Sequence, residues 1–294
     1  YCGCDRADDG GNGPMTAPTA AQAMAAATAR LRAAGVPDPA RDARVLLAHA
    51  ASVDAARITL IAPEEIAPEI AERFENLVAL RAVRVPVSHL VGQRAFYGRD
   101  FKVSRDVLDP RPETESLIEL ALSEAFDRVL DLGTGSGCIL VTLLAEQTNA
   151  KGMGLDLSEA ACLQASANAV LHGVAGRADI RQSDWFDAAE GRFDLIVANP
   201  PYLAKSEMLS VAPELRLHEP EMALTDGQDG LSVYRIIASQ AQGYLTATGR
   251  VLAEIGWQQG AEVAAIFKAG GWGRVRILPD LDGRDRVLWA DTPA

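Results

Sequence analysis

The spacing of apolar residues divides the chain into a helical N-terminal part and a longer part in which strands and helices alternate. Residues 17–84 are rich in Ala and Leu placed at helical intervals, which predicts a small all-helical domain. The residues assigned to the core of that domain are Leu46, Leu47, Leu60, Ile61, Leu77 and Leu80. Residues 1–16 show no such spacing, and we expect them to form a disordered extension.

The pattern changes at residue 85, where short alternating stretches replace the helical spacing. Residues 85–109 alternate on either side of Gly98 and predict a β-hairpin that links two domains. From residue 110 to residue 294, apolar runs alternate with helical segments. Strands are predicted near residues 127–132, 151–156, 177–182, 193–198, 249–255, 273–279 and 285–290. This order is typical of a doubly wound α/β domain.

A glycine-rich loop joins the first of these strands to the helix that follows. The loop consists of Gly133, Thr134, Gly135, Ser136 and Gly137. Glycines at this place let the backbone approach a ligand closely. The G-x-G-x-G spacing differs from the G-x-G-x-x-G dinucleotide fingerprint, and the Lys-Ser/Thr of a P-loop is missing. The loop therefore predicts a ligand other than a pyrophosphate or a triphosphate.

Acidic and aromatic residues follow the next two predicted strands. Asp156 ends the second strand, where a carboxylate can accept hydrogen bonds from both hydroxyls of a ribose. After the third strand, Asp184 can accept a hydrogen bond from an adenine amine, and Trp185 can cover the ring. Together with the glycine loop, these residues describe a site for a nucleoside without phosphate. S-adenosylmethionine fits that description, and we expect no metal.

Asn199, Pro200, Pro201 and Tyr202 follow the apolar strand at residues 193–198. The prolines end this strand abruptly because they have no N–H for a sheet ladder. The Asn199 side-chain oxygen and the Pro200 carbonyl oxygen are two acceptors that can hold both hydrogens of a substrate NH2. Tyr202 can pack against the flat face of the same group. An ordinary strand-ending turn also uses Asn and Pro, so these four residues alone do not indicate a binding site. The glycine loop and the acidic and aromatic residues described above make a binding site the better interpretation.

Composition and charge restrict the class of protein. The 294 residues are 48% hydrophobic and carry a formal net charge of −12. Because nucleic-acid binders usually show a basic face, we expect no direct nucleic-acid partner. No run of 18 apolar residues occurs, so we expect a cytoplasmic protein without a secretory leader or a membrane span. Cys138 and Cys162 are expected to be buried, reduced thiols, and a monomer is expected since heptads are missing.

With these motifs, the chain resembles the class I S-adenosylmethionine-dependent methyltransferases, and specifically the PrmC/HemK family of release factor glutamine methyltransferases. The resemblance covers residues 20–292. The segments that carry it are Pro110–Glu115, Val129–Gly137, Gln182–Phe186, Asn199–Tyr202 and Glu219–Leu231. Asp109 departs from the family, which usually has an apolar residue before Pro-Arg-Pro, and we expect only the packing of the loop to change.

The resemblance implies a seven-stranded, Rossmann-like methyltransferase sheet, preceded by a helical domain that helps to hold a release factor. It implies that Gly133–Gly137, Asp156 and Trp185 line the cofactor site, and that S-adenosylhomocysteine is the product of the cofactor. It also implies that Asn199–Tyr202 grips the side-chain amide of the glutamine in the Gly-Gly-Gln motif of a class 1 release factor. The residues expected to act in catalysis are Asn199, Pro200 and Tyr202, and Asn199 is also placed beside the cofactor.

The sequence offers no evident general base for this reaction. The four histidines, His49, His89, His172 and His218, lie outside the motifs. Glu113, Glu115 and Glu219 lie in loops that can approach the site, but none of them is assigned proton abstraction. We therefore expect water, and not a side chain, to take the proton that the substrate amide loses.

Three other functions are compatible with parts of this pattern. An adenine-N6 DNA methyltransferase uses a related loop on a flipped base, but the charge and the missing target-recognition segment argue against it. Glutamine methylation of a ribosomal protein shares the catalytic loop and stays open. A catalytically silent module that docks on release factors is disfavoured because every motif position is intact.

Overall fold

The computed structural model describes residues 17–293, so the predicted extension at residues 1–16 lies outside the described residues. Within this range the chain divides into two compact units, with the boundary between Val91 and Gly92. The first unit is helical, and the second contains both β-sheets.

The first unit contains five described α-helices. They are α1 (Ala20–Ala33), α2 (Pro39–Ala51), α3 (Ile58–Ile61), α4 (Pro68–Ala82) and α5 (Val87–Val91). A capping box starts α1, because the Thr19 hydroxyl accepts from the Gln22 N–H while the Gln22 side chain accepts from the Thr19 N–H. Pro39 and Pro68 start α2 and α4, where the missing N–H of proline costs nothing.

The core of the helical unit differs in part from the expected set. Leu46 and Leu47 are buried, whereas Leu60 is 69% exposed and Leu80 is 47% exposed, so the prediction was wrong for these two. The buried face of α4 follows Phe74 and Val78, four residues apart, and Leu80 lies off that face. The single turn of α3 buries only its first residue.

A buried ion pair joins α2 to α4. The Arg81 Nε donates to an Asp42 carboxylate oxygen at 2.7 Å, and both side chains are largely buried. We expect Arg81→Met to lower the free energy of unfolding by about 3–5 kcal/mol, because it leaves a buried carboxylate without its cation. Urea unfolding measures this loss. The control is Arg30→Met, which removes the exposed Arg30–Glu75 ion pair. Because an exposed pair contributes little, we expect little change in the free energy of unfolding. Equal effects of the two substitutions would contradict the prediction.

The segment predicted as a hairpin linker begins as a helix instead. Residues 87–91 form α5, since the Pro86 carbonyl accepts the first helical hydrogen bond from the Leu90 N–H and the fixed φ of proline suits a helix start. The hairpin itself is shorter and consists of β1 (Gln93–Phe96) and β2 (Arg99–Lys102), paired antiparallel. It belongs to the second unit.

The second unit is built on a seven-stranded sheet, as predicted. Its strands are β3 (Arg128–Leu132), β4 (Lys151–Asp156), β5 (Ala178–Gln182), β6 (Phe193–Ala198), β7 (Leu245–Glu254), β8 (Val275–Pro279) and β9 (Asp285–Asp291). The strand order is β5-β4-β3-β6-β7-β9-β8. Strands β3 to β7 pair in parallel, and β9 is antiparallel to both of its neighbours.

Helices cover both faces of this sheet. The α-helices described in this unit are α6 (Glu115–Leu122), α7 (Cys138–Glu146), α8 (Glu159–Leu171), α9 (Pro213–His218), α10 (Ser232–Gln240) and α11 (Gly260–Ala269), and the short α9 buries none of its residues. Alternate residues of β6 point to opposite faces: Ile196 packs in the cluster that includes α10 and α11, and Val197 packs in the cluster that includes α6 and α7. Cys138 and Cys162 are buried free thiols, as predicted. Among residues 17–293, no helix is long and apolar enough to cross a membrane.

The strand order reverses between β3 and β6, and this places the functional loops. From β3 the chain crosses to β4 and then β5 on one side of β3. From β5 it crosses back to β6, which lies on the other side of β3. Leu132 pairs with Leu155 of β4 and with Ala198 of β6, so the three strands end at one edge. In open α/β sheets, ligands bind in the crevice at such a reversal.

Candidate active site

A cavity of about 300 Å³ opens at the carboxyl ends of β3, β4, β5 and β6. Most of the residues predicted from the sequence line it: Gly133, Thr134, Gly135, Ser136, Asp156, Asp184, Trp185, Asn199 and Pro201. Three predicted residues do not line it, namely Gly137, Pro200 and Tyr202. The cavity therefore joins the glycine loop to the Asn-Pro-Pro-Tyr segment, which is 66 residues later in the chain.

The glycine loop adopts backbone conformations that favour glycine. Gly133, Gly135 and Gly137 have φ angles of +69°, +55° and +78°. Gly137 lies directly before α7, and a Cβ there would be 3.0 Å from the Cβ of Ala165 in α8. Gly137 thus serves the packing of the loop, whereas the two earlier glycines face the cavity.

Asp156 joins the end of β4 to the glycine loop. One carboxylate oxygen accepts from the Gly135 N–H at 2.8 Å, and the other accepts from the Ser158 N–H at 2.9 Å. Burial raises the pKa of Asp156, and these two backbone hydrogen bonds oppose the increase. The carboxylate is held in one orientation while it also faces the cavity.

Asp131 is a buried carboxylate beside this loop that the sequence reasoning missed. It accepts from the Thr134 hydroxyl at 2.7 Å, and burial raises its pKa to about 7. Its second oxygen, Oδ1, has no hydrogen-bond partner among residues 17–293. The signal was available, because a carboxylate inside the apolar strand Val129–Leu132 is costly unless it has a role.

Trp185 is held against the cavity by the loop after β5. The Ser183 hydroxyl donates to the Trp185 carbonyl at 3.0 Å and accepts from the Ala188 N–H at 2.9 Å. Trp185 has a φ of +46°, which is rare for a large side chain. Its ring approaches Gly133, where a Cβ would lie 4.0 Å from the indole. Asp184 is exposed at the mouth of the same cavity.

The Asn199 side chain is tied to two residues from distant parts of the chain. Its Nδ2 donates to the Thr114 hydroxyl at 3.1 Å, and that hydroxyl donates to Glu254 Oε2 at 2.5 Å. The Tyr202 hydroxyl lies 3.5 Å from the other oxygen of Glu254. Burial raises the pKa of Tyr202, and the Glu254 charge adds to this increase. The sequence reasoning did not single out Thr114 or Glu254.

The backbone of the Asn-Pro-Pro-Tyr segment is fixed from the other side. The Tyr202 carbonyl accepts from Gln259 Nε2 at 2.8 Å, and the Leu203 N–H donates to the Leu224 carbonyl at 3.0 Å. Gly230 lies against the same carbonyl, because a Cβ at this position would overlap the Tyr202 oxygen. The Gly230 backbone therefore helps to set where the segment lies.

Two glycines in one loop provide a matched test of this contact. Gly230 and Gly227 have φ angles of +75° and +73°, but a Cβ at Gly227 meets nothing within 4 Å. Each Gly→Ala change is expected to cost about 1–2 kcal/mol of backbone strain. Only Gly230→Ala should also displace Tyr202 and reduce methyl transfer, measured as kcat/KM for the methyl acceptor. Equal activity of the two variants would contradict this role for Gly230.

The loop carboxylates named from the sequence have structural partners or lie at the surface. Arg111 Nη2 donates to both Glu219 oxygens, at 2.5 and 2.6 Å. Burial raises the pKa of Glu219 and Arg111 opposes this increase, while Asp109 adds to it. Glu115 accepts from the Tyr97 N–H in the hairpin, and Glu113 is exposed. The histidines do not line the cavity, nor do residues 17–293 hold a cluster of three or more metal-ligating side chains.

The sequence matches two protein families in succession. Residues 22–92 match the PrmC N-terminal domain, and residues 103–256 match the methyltransferase small domain. The second match covers half of the chain and includes every predicted cofactor residue. The boundary between the two matches lies near the boundary between the two compact units.

Curated relatives extend this similarity over nearly the whole chain. The release factor glutamine methyltransferase of Cereibacter sphaeroides is 56% identical over 275 residues, which are 94% of this chain and 99% of the relative. The chain belongs to the release factor glutamine methyltransferase family. The enzyme of the same name from Rhodospirillum rubrum is 40% identical over 96% of this chain and 89% of the relative. As a member of this family, the protein is an S-adenosylmethionine-dependent methyltransferase.

A solved structure agrees with the fold of this family member. A methyltransferase from Pyrococcus furiosus superposes with a TM-score of 0.53 over 68% of this chain and 92% of its own. The sequence identity is 16%, so this likeness concerns the fold alone. It supports the Rossmann-like assignment of the seven-stranded sheet.

The charge of the cavity fits the cofactor of the family. The acidic residues that line it are Asp106, Asp109, Asp156, Asp184 and Asp226, whereas Arg111 is the basic residue among the described lining. A negative cavity disfavours phosphate groups and favours the positive sulfonium of S-adenosylmethionine. Apolar residues such as Ile139 and Leu157 offer contacts for the adenosine. The residues present therefore fit this group.

Proposed function

We propose that this protein transfers a methyl group from S-adenosylmethionine to the side-chain amide nitrogen, N5, of the glutamine in the Gly-Gly-Gln motif of class 1 peptide chain release factors. One observation carries the proposal: Asn199 lines the same cavity as the glycine loop, Asp156 and Trp185. An amide-gripping group and a nucleoside-binding group thus share one space. The names of the relatives support this substrate.

We assign the cofactor to the loops after β3, β4 and β5. Backbone groups of Gly133–Ser136 approach it, Asp156 accepts from the ribose hydroxyls, and Asp184 accepts from the adenine amine. Trp185 covers the adenine ring. The bound cofactor supplies an electrophilic methyl carbon attached to a positively charged sulfur.

We assign the glutamine amide to the Asn-Pro-Pro-Tyr segment. In this assignment the Oδ1 of Asn199, a residue that lines the cavity, and the Pro200 carbonyl next to it accept the two N–H groups, and Tyr202 packs on the amide plane where the substrate enters beside the cavity. The amide nitrogen is a poor nucleophile because its lone pair is delocalised into the carbonyl. Two acceptors on its hydrogens orient the lone pair toward the methyl carbon, and such alignment supplies roughly 7–11 kcal/mol of the barrier.

The same acceptors stabilise the charge that develops during the transfer. The new N–C bond forms as the S–C bond breaks, so positive charge moves from the sulfur to the nitrogen. Preorganised oxygen acceptors lower the free energy of this charge. We assign the release of one N–H proton to water, and none of the four histidines or of the loop glutamates named from the sequence lines the cavity.

Transfer of labelled methyl to a purified release factor tests the proposal. The matched acceptor has its Gly-Gly-Gln glutamine changed to alanine. We expect label on the unchanged acceptor alone, which would identify cofactor, substrate and target residue together. Label on neither acceptor would contradict the proposal. Parallel incubation with ribosomal proteins and with duplex DNA shows whether a glutamine of another protein or an adenine takes the methyl instead.

A further inference from the structure

Glu254 is a buried carboxylate behind the Asn-Pro-Pro-Tyr segment. It ends β7 and is 1% exposed. Within residues 17–293, Glu254 forms no ion pair with a Lys or Arg side chain. The nearby Arg286 donates to Asp280 at 3.2 Å. A buried carboxylate without an ion-pair partner costs stability, and an uncharged residue of the same shape costs less. The loss of stability suggests that the Glu254 carboxylate is kept for a functional reason.

The hydrogen bonds around Glu254 run in one direction. The Thr114 hydroxyl has a single hydrogen, and it is donated to Glu254. The Thr114 oxygen can then only accept, so the end of the Asn199 amide that faces it must be the NH2. The Asn199 oxygen, Oδ1, is consequently turned away from Thr114. A reversed amide would place two oxygens together with no hydrogen between them.

The protonation state of Glu254 controls this direction. Burial raises the pKa of Glu254 to about 7, while the Thr114 hydrogen bond and the Arg286 charge lower it and Glu113 raises it. Tyr202 and Tyr234 face it as neutral hydroxyls, the latter donating to the Glu254 carbonyl at 2.8 Å. An ionised carboxylate can only accept. A protonated one can donate to Thr114, which then becomes free to donate to the wrong end of Asn199.

We propose that Glu254 and Thr114 are positioning residues that select which end of the Asn199 amide faces the substrate. The relay keeps the Asn199 oxygen toward the substrate and makes the site accept a side-chain NH2. It also disfavours a glutamate side chain, whose carboxylate would meet an acceptor instead of a donor. This inference rests on the proposed role of Asn199 in holding the glutamine amide.

Substitutions at Thr114 separate the hydroxyl from the shape of the side chain. Thr114→Val keeps the shape and removes the hydrogen bond, whereas Thr114→Ser keeps the hydroxyl. We expect Thr114→Val to lower kcat/KM for the release factor roughly 10- to 100-fold, without a change in the Kd of S-adenosylmethionine measured by calorimetry. Thr114→Ser should restore most of the activity. Full activity of Thr114→Val, or equal loss in both variants, would overturn the proposal.

Substitution of Glu254 gives a second readout that a structural role would not produce. Glu254→Gln resembles the protonated residue, so its thermal unfolding temperature should equal or exceed that of the wild type while its activity falls. Since the Glu254 pKa is about 7, the ratio of wild-type to variant rate should be large at about pH 8 and shrink toward about pH 6. An equal ratio at both pH values would overturn the proposal.

A parallel Asn199→Ala variant distinguishes the two levels of inference. If Asn199→Ala keeps its activity, the proposed grip on the amide fails, and the relay fails with it. If Asn199→Ala is inactive while Thr114→Val and Glu254→Gln have wild-type kinetics, only the relay fails. If all three lose activity on the acceptor and still bind S-adenosylmethionine, both inferences are supported.

Discussion

Replacing Asn199 by alanine is expected to abolish methyl transfer while leaving the binding of S-adenosylmethionine largely intact. The change removes an acceptor for the substrate NH2, whereas the residues assigned to the ribose and adenine, Asp156, Asp184 and Trp185, lie on other loops. Loss of one preorganised group at the reacting centre lowers kcat by about 10²–10³. Single-turnover rates with labelled cofactor measure the transfer, and calorimetry measures the Kd.

Asn149→Ala is the matched control for this experiment. Asn149 is an exposed residue of the turn between α7 and β4 and does not line the cavity, so its replacement should change neither the rate nor the Kd. Turnover of Asn199→Ala within a few-fold of the wild type would remove Asn199 from the mechanism. A loss of cofactor affinity equal to the loss of rate would place Asn199 at the cofactor instead of the amide.

Asp156→Asn is expected to weaken the binding of S-adenosylmethionine more than any other single change on the cofactor side. The carboxylate already gives one oxygen to the Gly135 N–H and the other to the Ser158 N–H. An amide has only one acceptor oxygen, so one backbone N–H loses its partner and the ribose meets a donor. Loss of a hydrogen bond to a charged group costs about 1.5–3 kcal/mol, which is roughly a 10- to 150-fold weaker Kd.

Asp187→Asn provides the comparison for Asp156. Asp187 is exposed on the loop after β5 and does not line the cavity. Titration of each variant with S-adenosylmethionine should show weaker binding for Asp156→Asn alone, and its kcat at saturating cofactor should recover in large part. Wild-type affinity of Asp156→Asn would refute the ribose assignment.

The sheet could be predicted because each of its strands has a local signal. The run Phe193–Ala198 is apolar on both faces, as a central parallel strand must be when helices cover both sides. The glycine loop was equally visible, since it needs positive φ angles that glycine adopts without strain. Both features depend on neighbouring residues alone, and the structure confirms both.

Contacts between distant segments could not be read in the same way. Thr114 and Glu254 are 140 positions apart. Glu254 interrupts an apolar strand and Thr114 lies in the segment Pro110–Glu115, so each carries a local signal, but no local pattern shows that the two side chains meet. The start of the hairpin was also missed. Residues 87–91 form a helix because Pro86 favours a helix start and because Val87, Leu90 and Val91 have the i, i+3, i+4 spacing of a helix face.

The amino-acid sequence by itself determined the alternation of strands and helices, the loops at the strand ends and the chemical groups that these loops carry. Those properties follow from periodicity and from the conformations that single residues allow. Only the tertiary structure decided which groups meet. The reversal of strand order beside β3 brings Asn199 into the cofactor cavity, and burial behind it sets the charge and the hydrogen-bond direction of Glu254. Desolvation and contact depend on where the whole chain lies in space, which no local pattern encodes.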